Sequence, residues 1–111
     1  MGDYEIIMTQ DAVSDLEELG SYISCALRAP DTALAYIKRI RGKIKTLTVF
    51  PERNRLLETE PWRSMGVRKV IVQNFYIYYR IDFDFQRVYI LNIIYTRRDQ
   101  LNALSQRENI F

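Results

Sequence analysis

The chain has 111 residues, 48% hydrophobic and 27% charged, with a net charge of +2. This is the balance of one globular domain, here residues 1–111, and it excludes disordered and collagen-like chains. No apolar run reaches the roughly 18 to 20 residues that cross a bilayer. The start, Met1-Gly2-Asp3-Tyr4-Glu5, is acidic where a secretion signal is basic and then apolar. A lone Cys25 and the absence of histidine leave no internal disulfide and no soft-ligand set, so the expectation is a cytoplasmic chain without metal or cofactor. Charge is unevenly divided. Residues 1–30 carry one positive and six negative charges, residues 31–60 seven and four, and residues 61–111 eight and four. The basic remainder suits a local cationic surface, although scattered solubilising charge gives the same counts.

Residues 4–8, Tyr-Glu-Ile-Ile-Met, predict a short strand, and Thr9 sits where a helix N-cap belongs. Val13, Leu16, Leu19, Ile23 and Leu27 then recur at helical spacing, which predicts a first helix ending near Ala29-Pro30. Pro30-Asp31 offers a break and a fresh cap. A second stripe, Ala33, Ile37, Ile40, Ile44 and Leu47, predicts a second helix antiparallel to the first, with Lys38, Arg41 and Lys45 on its solvent side. Residues 51–66 hold two prolines and no period, and read as a long connection. Cys25 is expected to be a small buried side chain and Trp62 an anchor on the sheet.

Three β-prone stretches come next, at 67–72, 76–82 and 88–95, with gaps short enough for an antiparallel meander. Alternation puts Ile77, Tyr79 and Ile81 on one face of the middle strand, beneath the helices. Tyr76, Tyr78 and Arg80 take the other, open face. In the last strand, alternation groups Val88, Ile90 and Ile94 against Tyr89, Leu91, Ile93 and Tyr95. Asp99 suits the cap of a short terminal helix with Leu101 and Leu104. The predicted fold is therefore α+β, a helical hairpin on a small antiparallel-meander sheet, in the order β-α-α-β-β-β with a short C-terminal helix.

The run from Val67-Arg68-Lys69-Val70 through Phe75-Tyr76-Ile77-Tyr78-Tyr79-Arg80-Ile81 to Tyr95-Thr96-Arg97-Arg98-Asp99 resembles toxins of the RelE/ParE superfamily. Their pattern there is an arginine opening a strand, a Tyr-x-x-x-Tyr strand, an apolar strand and a His-x-Arg-Arg-Asp-like ending. The strand and helical hairpin before it are similar too. The resemblance implies the toxin of a type II toxin-antitoxin, or plasmid stabilisation, system, with a cognate antitoxin as partner. RelE-like members cleave messenger RNA on the ribosome, ParE-like members poison DNA gyrase, and one scaffold serves both. A third option is an inactive homologue that serves its antitoxin as co-repressor.

RNA cleavage needs a base, an acid and cations for the phosphorane. By the resemblance, Arg68, Arg97 and Arg98 are the phosphate-gripping candidates, expected on the open sheet face, with Tyr95 at the position where many relatives have histidine. Lys69, Tyr76 and Arg80 are nucleic-acid-binding candidates, and Glu58, Glu60 and Lys69 are further options for proton transfer. Alternation lets only one of Arg68 and Lys69 face a common site. Many ribonuclease members have arginine at Tyr76, and unperturbed lysine and tyrosine titrate near 10; both departures weigh toward a binding inhibitor without displacing the first expectation, messenger-RNA cleavage on the ribosome, to which gyrase inhibition is the alternative. The same tyrosines also suit plain sheet packing.

Overall fold

A computed structural model describes residues 3–96. Strand β1 (Glu5–Met8) leads into helix α1 (Gln10–Ser21), and helix α2 (Pro30–Lys45) follows. After the connection come β2 (Val67–Val72), β3 (Phe75–Asp82) and β4 (Arg87–Tyr95). The last three form the expected meander, and β1 joins the far side of β4 in parallel, giving the order β1-β4-β3-β2. The terminal helix expected after Asp99 lies outside the described residues.

Thr9 explains why strand becomes helix where it does. Its backbone is extended and its hydroxyl oxygen accepts from the Ala12 N–H at 3.2 Å, filling one of the orphan donors of the first turn. The same hydroxyl donates to the carbonyl of Ile90 at 2.7 Å and lies 3.2 Å from that of Leu91, pinning α1 to β4. Pro30 occupies the first turn of α2, where its missing N–H costs nothing. Asp31 therefore sits inside the first turn, not at the cap, which falls on Ala29. At Gly20 an added Cβ would come within 3.1 Å of Ile37, so glycine sets how closely the two helices pack.

Beyond Ser21 the first helix widens into a π turn over Tyr22–Ala26, and Arg28 turns back at φ 52°. The extra residue in that turn keeps Ile23 in the core but rotates the next few side chains outward. Leu27, expected on the apolar stripe, is 49% exposed, and Cys25 is exposed as well. Ala33, Ile40, Ile44 and Leu47 of the second stripe are buried as their spacing predicts, against Phe75, Ile77 and Tyr79 of β3.

Simple alternation in β4 is overturned by a bulge. Tyr79 pairs with Ile90 while Tyr78 pairs with Asn92, so Leu91 is an extra residue. Val88, Ile90, Ile93 and Tyr95 consequently share the helix-covered face, and Tyr89, Asn92 and Ile94 the open one. The bulge sits where Thr9 bonds the Ile90 carbonyl. Six residues on, the Asp15 carboxylate accepts from the Ile93 N–H at 2.9 Å and from Asn92 at 3.2 Å, closing the stretch of β4 that β1 is too short to cover.

Burial pushes the Asp15 carboxyl above its usual range, outweighing the Ile93 and Asn92 hydrogen bonds that lower it. Folding thus binds a proton more tightly at Asp15. Its contribution to stability is fully present below the ordinary value of 3.8 and is lost as pH rises through the raised folded value. Asp15→Asn, which keeps an acceptor, should flatten that decline in melts taken from about pH 3 to pH 7. Asp15→Ala should cost about 1–3 kcal/mol by stranding the Ile93 N–H.

Candidate functional site

Register assigns each side chain to a face. On β2, Arg68 pairs with Tyr79 and Val70 with Ile77, so Arg68 shares the helix-covered face, while Lys69 pairs with Tyr78 on the open one. The open face accordingly carries Lys69 and Ile71 from β2, Tyr76, Tyr78 and Arg80 from β3, and Tyr89, Asn92 and Ile94 from β4. Lys69 Nζ lies 4.5 Å from the centre of the Tyr76 ring, and the Arg80 guanidinium 4.7 Å from that of Tyr89. Tyr76 meets Tyr78 edge to face at 6.3 Å. Each cation over a ring face is held in place without losing its charge, which leaves it available to an anionic partner. At the β1 side Arg87 pairs with Glu5 at 3.4 Å.

Three of the residues singled out from sequence, Lys69, Tyr76 and Arg80, are thus brought together. Arg68 is not among them, and its expected place on the open face is corrected. Its Nη1 donates to the carbonyls of Asn54 at 2.6 Å and Glu52 at 3.1 Å, holding the connection after α2 against the sheet. Beside it the buried Tyr79 hydroxyl donates to the Pro51 carbonyl at 2.6 Å and accepts from the Asn54 side chain at 3.0 Å. Burial holds that phenol above its ordinary range, so it remains a donor. Arg68 forms part of a polar cleft of about 480 Å³, with Glu52, Arg55, Glu58 and Arg63 also on its walls. Glu58 therefore faces this cleft, remote from the open sheet face.

Tyr95 is likewise on the covered face. It stacks on Phe75 with ring centres 4.9 Å apart and approaches Tyr22 and Tyr36 at 6.3 Å each, within an aromatic cluster beneath the helices. Along β3 the partners of Arg68 and Tyr95 are four residues apart, about 13 Å, so the two do not converge on one phosphate. Glu60 accepts from the Ser64 N–H at 2.9 Å, and its bonding to Ser64 keeps its carboxyl below the usual range. Arg97 and Arg98 lie outside the described residues. Asn54 and Glu52, which sequence reasoning passed over, hold the connection. A signal for Arg68 was present in the sequence, because it shares parity with Val70 and Val72 of the core face.

The family model described as "ParE toxin of type II toxin-antitoxin system, parDE" matches residues 6–100. The chain belongs to the ParE toxin family. Among solved structures it is similar to the chromosomal ParDE system of P. aeruginosa, at 22% identity and a TM-score of 0.69 over 85% of this chain and 97% of that one. The RelBE2 toxin-antitoxin complex of Mycobacterium tuberculosis is similar at 23% identity and a TM-score of 0.59, covering 84% and 98%. The isolated RelE toxin of E. coli gives 13% identity and 0.59, covering 95% and 97%. No curated protein matches. The fold is thus shared by ParE and RelE toxins, and this chain is a toxin of that type II class.

The two faces predict opposite responses to mutation. Arg68→Ala should lower unfolding free energy by about 2 kcal/mol and Tyr79→Phe by about 1–2 kcal/mol, because each strands buried carbonyls. Lys69→Ala should stay within about 0.5 kcal/mol. Urea titration followed by Trp62 fluorescence checks all three. Equal losses for Arg68→Ala and Lys69→Ala would refute the assignment of faces.

Proposed function

We propose that this ParE-family toxin arrests growth by binding DNA gyrase, its open sheet face being the binding surface. The observation that carries the reading is the composition of that face. Lys69 and Arg80 are poised over Tyr76 and Tyr89, a surface made for adhesion to an acidic or nucleic-acid-laden partner. Proton transfer at neutral pH wants a group titrating near 7, and the chain has no histidine. Tyr95, the residue proposed to stand in for one, packs among aromatic rings on the opposite face. Arg97 and Arg98 are proposed as further cations for the same target.

The cognate partner in this reading is an antitoxin whose acidic, apolar segment covers the open face and neutralises Lys69 and Arg80. The ParDE and RelBE2 structures, described as a toxin-antitoxin system and complex, support a partner of that kind. Cytoplasmic action is part of the proposal, and among the described residues no helix is long and apolar enough to cross a membrane.

Induced expression is expected to arrest growth, raise DNA-damage signalling and leave transcript ends unchanged, with relief on co-expression of a cognate antitoxin. Lys69→Glu/Arg80→Glu should abolish arrest while the melting temperature stays within a few degrees. New transcript ends without DNA-damage signalling would replace gyrase with messenger RNA as the target. Harmless expression would leave the co-repressor reading.

A further inference from the structure

The cleft around Arg68 holds charge of both signs that stays unpaired. Four arginines and two glutamates stand on its walls, yet among the described residues no guanidinium there is bridged to either carboxylate. Arg53 is committed elsewhere, its guanidinium donating to the carbonyls of Thr46, Val49 and Phe50. Arg68 uses Nη1 for the clamp, and Arg63 makes one long contact, 3.5 Å to the Leu57 carbonyl. Arg55 and Glu58 are exposed and, among the described residues, without a partner. Glu52 is the sharper anomaly. Its Oε1 is shut off from solvent and meets no hydrogen-bond donor, a destabilising state for an acceptor unless something else supplies the donor.

The walls are held before any ligand arrives. Leu56 bridges to Arg68, the Leu57 N–H donates to the Val67 carbonyl at 2.9 Å, and the Arg63 N–H donates to the Thr59 carbonyl at 3.1 Å. Fixed walls keep the ordering cost of binding low. At about 480 Å³ the cleft falls within the roughly 300–1,000 Å³ of small-molecule sites. Among the described residues Leu56 is its one apolar wall, so the matching ligand is polar over nearly its whole surface. Three guanidiniums with N–H groups to spare, those of Arg55, Arg63 and Arg68, suit a phosphate, which accepts from several forked donors at once. The carboxylates beside them call for hydroxyl donors and repel a polyanion. A nucleic-acid strand would meet both glutamates and find no aromatic platform for its bases on these walls.

We propose that the Arg68 cleft binds a small phosphate ester of a polyhydroxy compound, a sugar phosphate in chemical class. Arg55, Arg63 and the free N–H groups of Arg68 hold the phosphate, and Glu52 Oε1 accepts from a ligand hydroxyl, with Glu58 available to a second. The hydroxyl contact separates such an ester from inorganic phosphate, and the number of guanidiniums separates it from an amino acid, whose single carboxylate needs fewer. This site lies on the connection after α2, apart from the open sheet face, and its occupancy is independent of which macromolecule that face binds.

The test titrates the full chain in a calorimeter with glycerol 3-phosphate, ribose 5-phosphate and glucose 6-phosphate, and in parallel with inorganic phosphate, glucose and glutamate. At least one sugar phosphate should bind about tenfold or more tightly than inorganic phosphate, with glucose and glutamate weaker than either. Arg55→Gln and Arg63→Gln, both at exposed positions, should each weaken that binding several-fold with melting temperatures held within a few degrees. Arg39→Gln, on α2 outside the cleft, should leave it unchanged. Glu52→Ala should weaken the sugar phosphate and spare inorganic phosphate, a split that a merely structural change does not produce. Inorganic phosphate binding as tightly as the best ester, glutamate binding more tightly, or cleft variants matching Arg39→Gln overturns the proposal. So does the absence of binding by all three esters.

Discussion

The far end of both sheet faces depends on one extra residue. At Leu91 the ladder between β3 and β4 slips, and every side chain beyond it changes face. Without the slip, Ile93 and Tyr95 would lie on the open face, and Ile94 would point into the helices. With it, Tyr95 completes an aromatic cluster with Tyr22, Tyr36 and Phe75, and Asn92 and Ile94 join the open face. Thr9 and Asp15 of α1 hold the slipped stretch, so the helix that covers the sheet also stabilises the irregularity that defines its other side.

Arg68 shows how one residue type serves either structure or binding according to face. A guanidinium donating to the carbonyls of Glu52 and Asn54 is a clamp, and it satisfies two carbonyls of a proline-interrupted connection. Lys69, one residue on, has no such duty and reaches the open face. Tyr79 and Asn54 complete the clamp from the other side. Here covered-face residues hold the connection and leave the exposed face without that duty, and fold alone does not choose among targets.

Periodicity reads local order well here. The meander falls within a residue of its predicted bounds because β-branched and aromatic runs are cleanly punctuated by Gln73-Asn74 and by the turn at Asp82, whose carboxylate accepts from the Asp84 and Phe85 N–H groups. The second helix buries its predicted stripe. What escaped were departures from period. The π turn carried Cys25 and Leu27 into solvent, and the bulge regrouped the end of β4. The bulge is fixed by contacts remote in sequence, since Thr9 and Asp15 meet residues about 80 positions away. Open-face Tyr76 and Arg80 were legible by alternation alone, whereas Lys69 holds the face expected of Arg68. Arg68 was misplaced because resemblance located it in the pattern without saying which way it points, and Tyr95 because alternation was carried on past the bulge.

The small net charge hides a segregated molecule. Acidic residues crowd α1, where Asp11 complements the helix dipole and Asp15 closes the edge of β4. Positive charge instead gathers on α2 and on the open sheet face, with Arg41 and Lys45 beside the β1 edge and Lys69 and Arg80 over their tyrosines. An acidic partner chain long enough to span both cationic surfaces would be tethered twice, and each tether would raise the local concentration for the other. Two modest contacts joined by one chain hold more tightly than either alone, and releasing one of them leaves the other to guide rebinding. An acidic antitoxin spanning both surfaces would silence the open face without needing an exceptional fit at either.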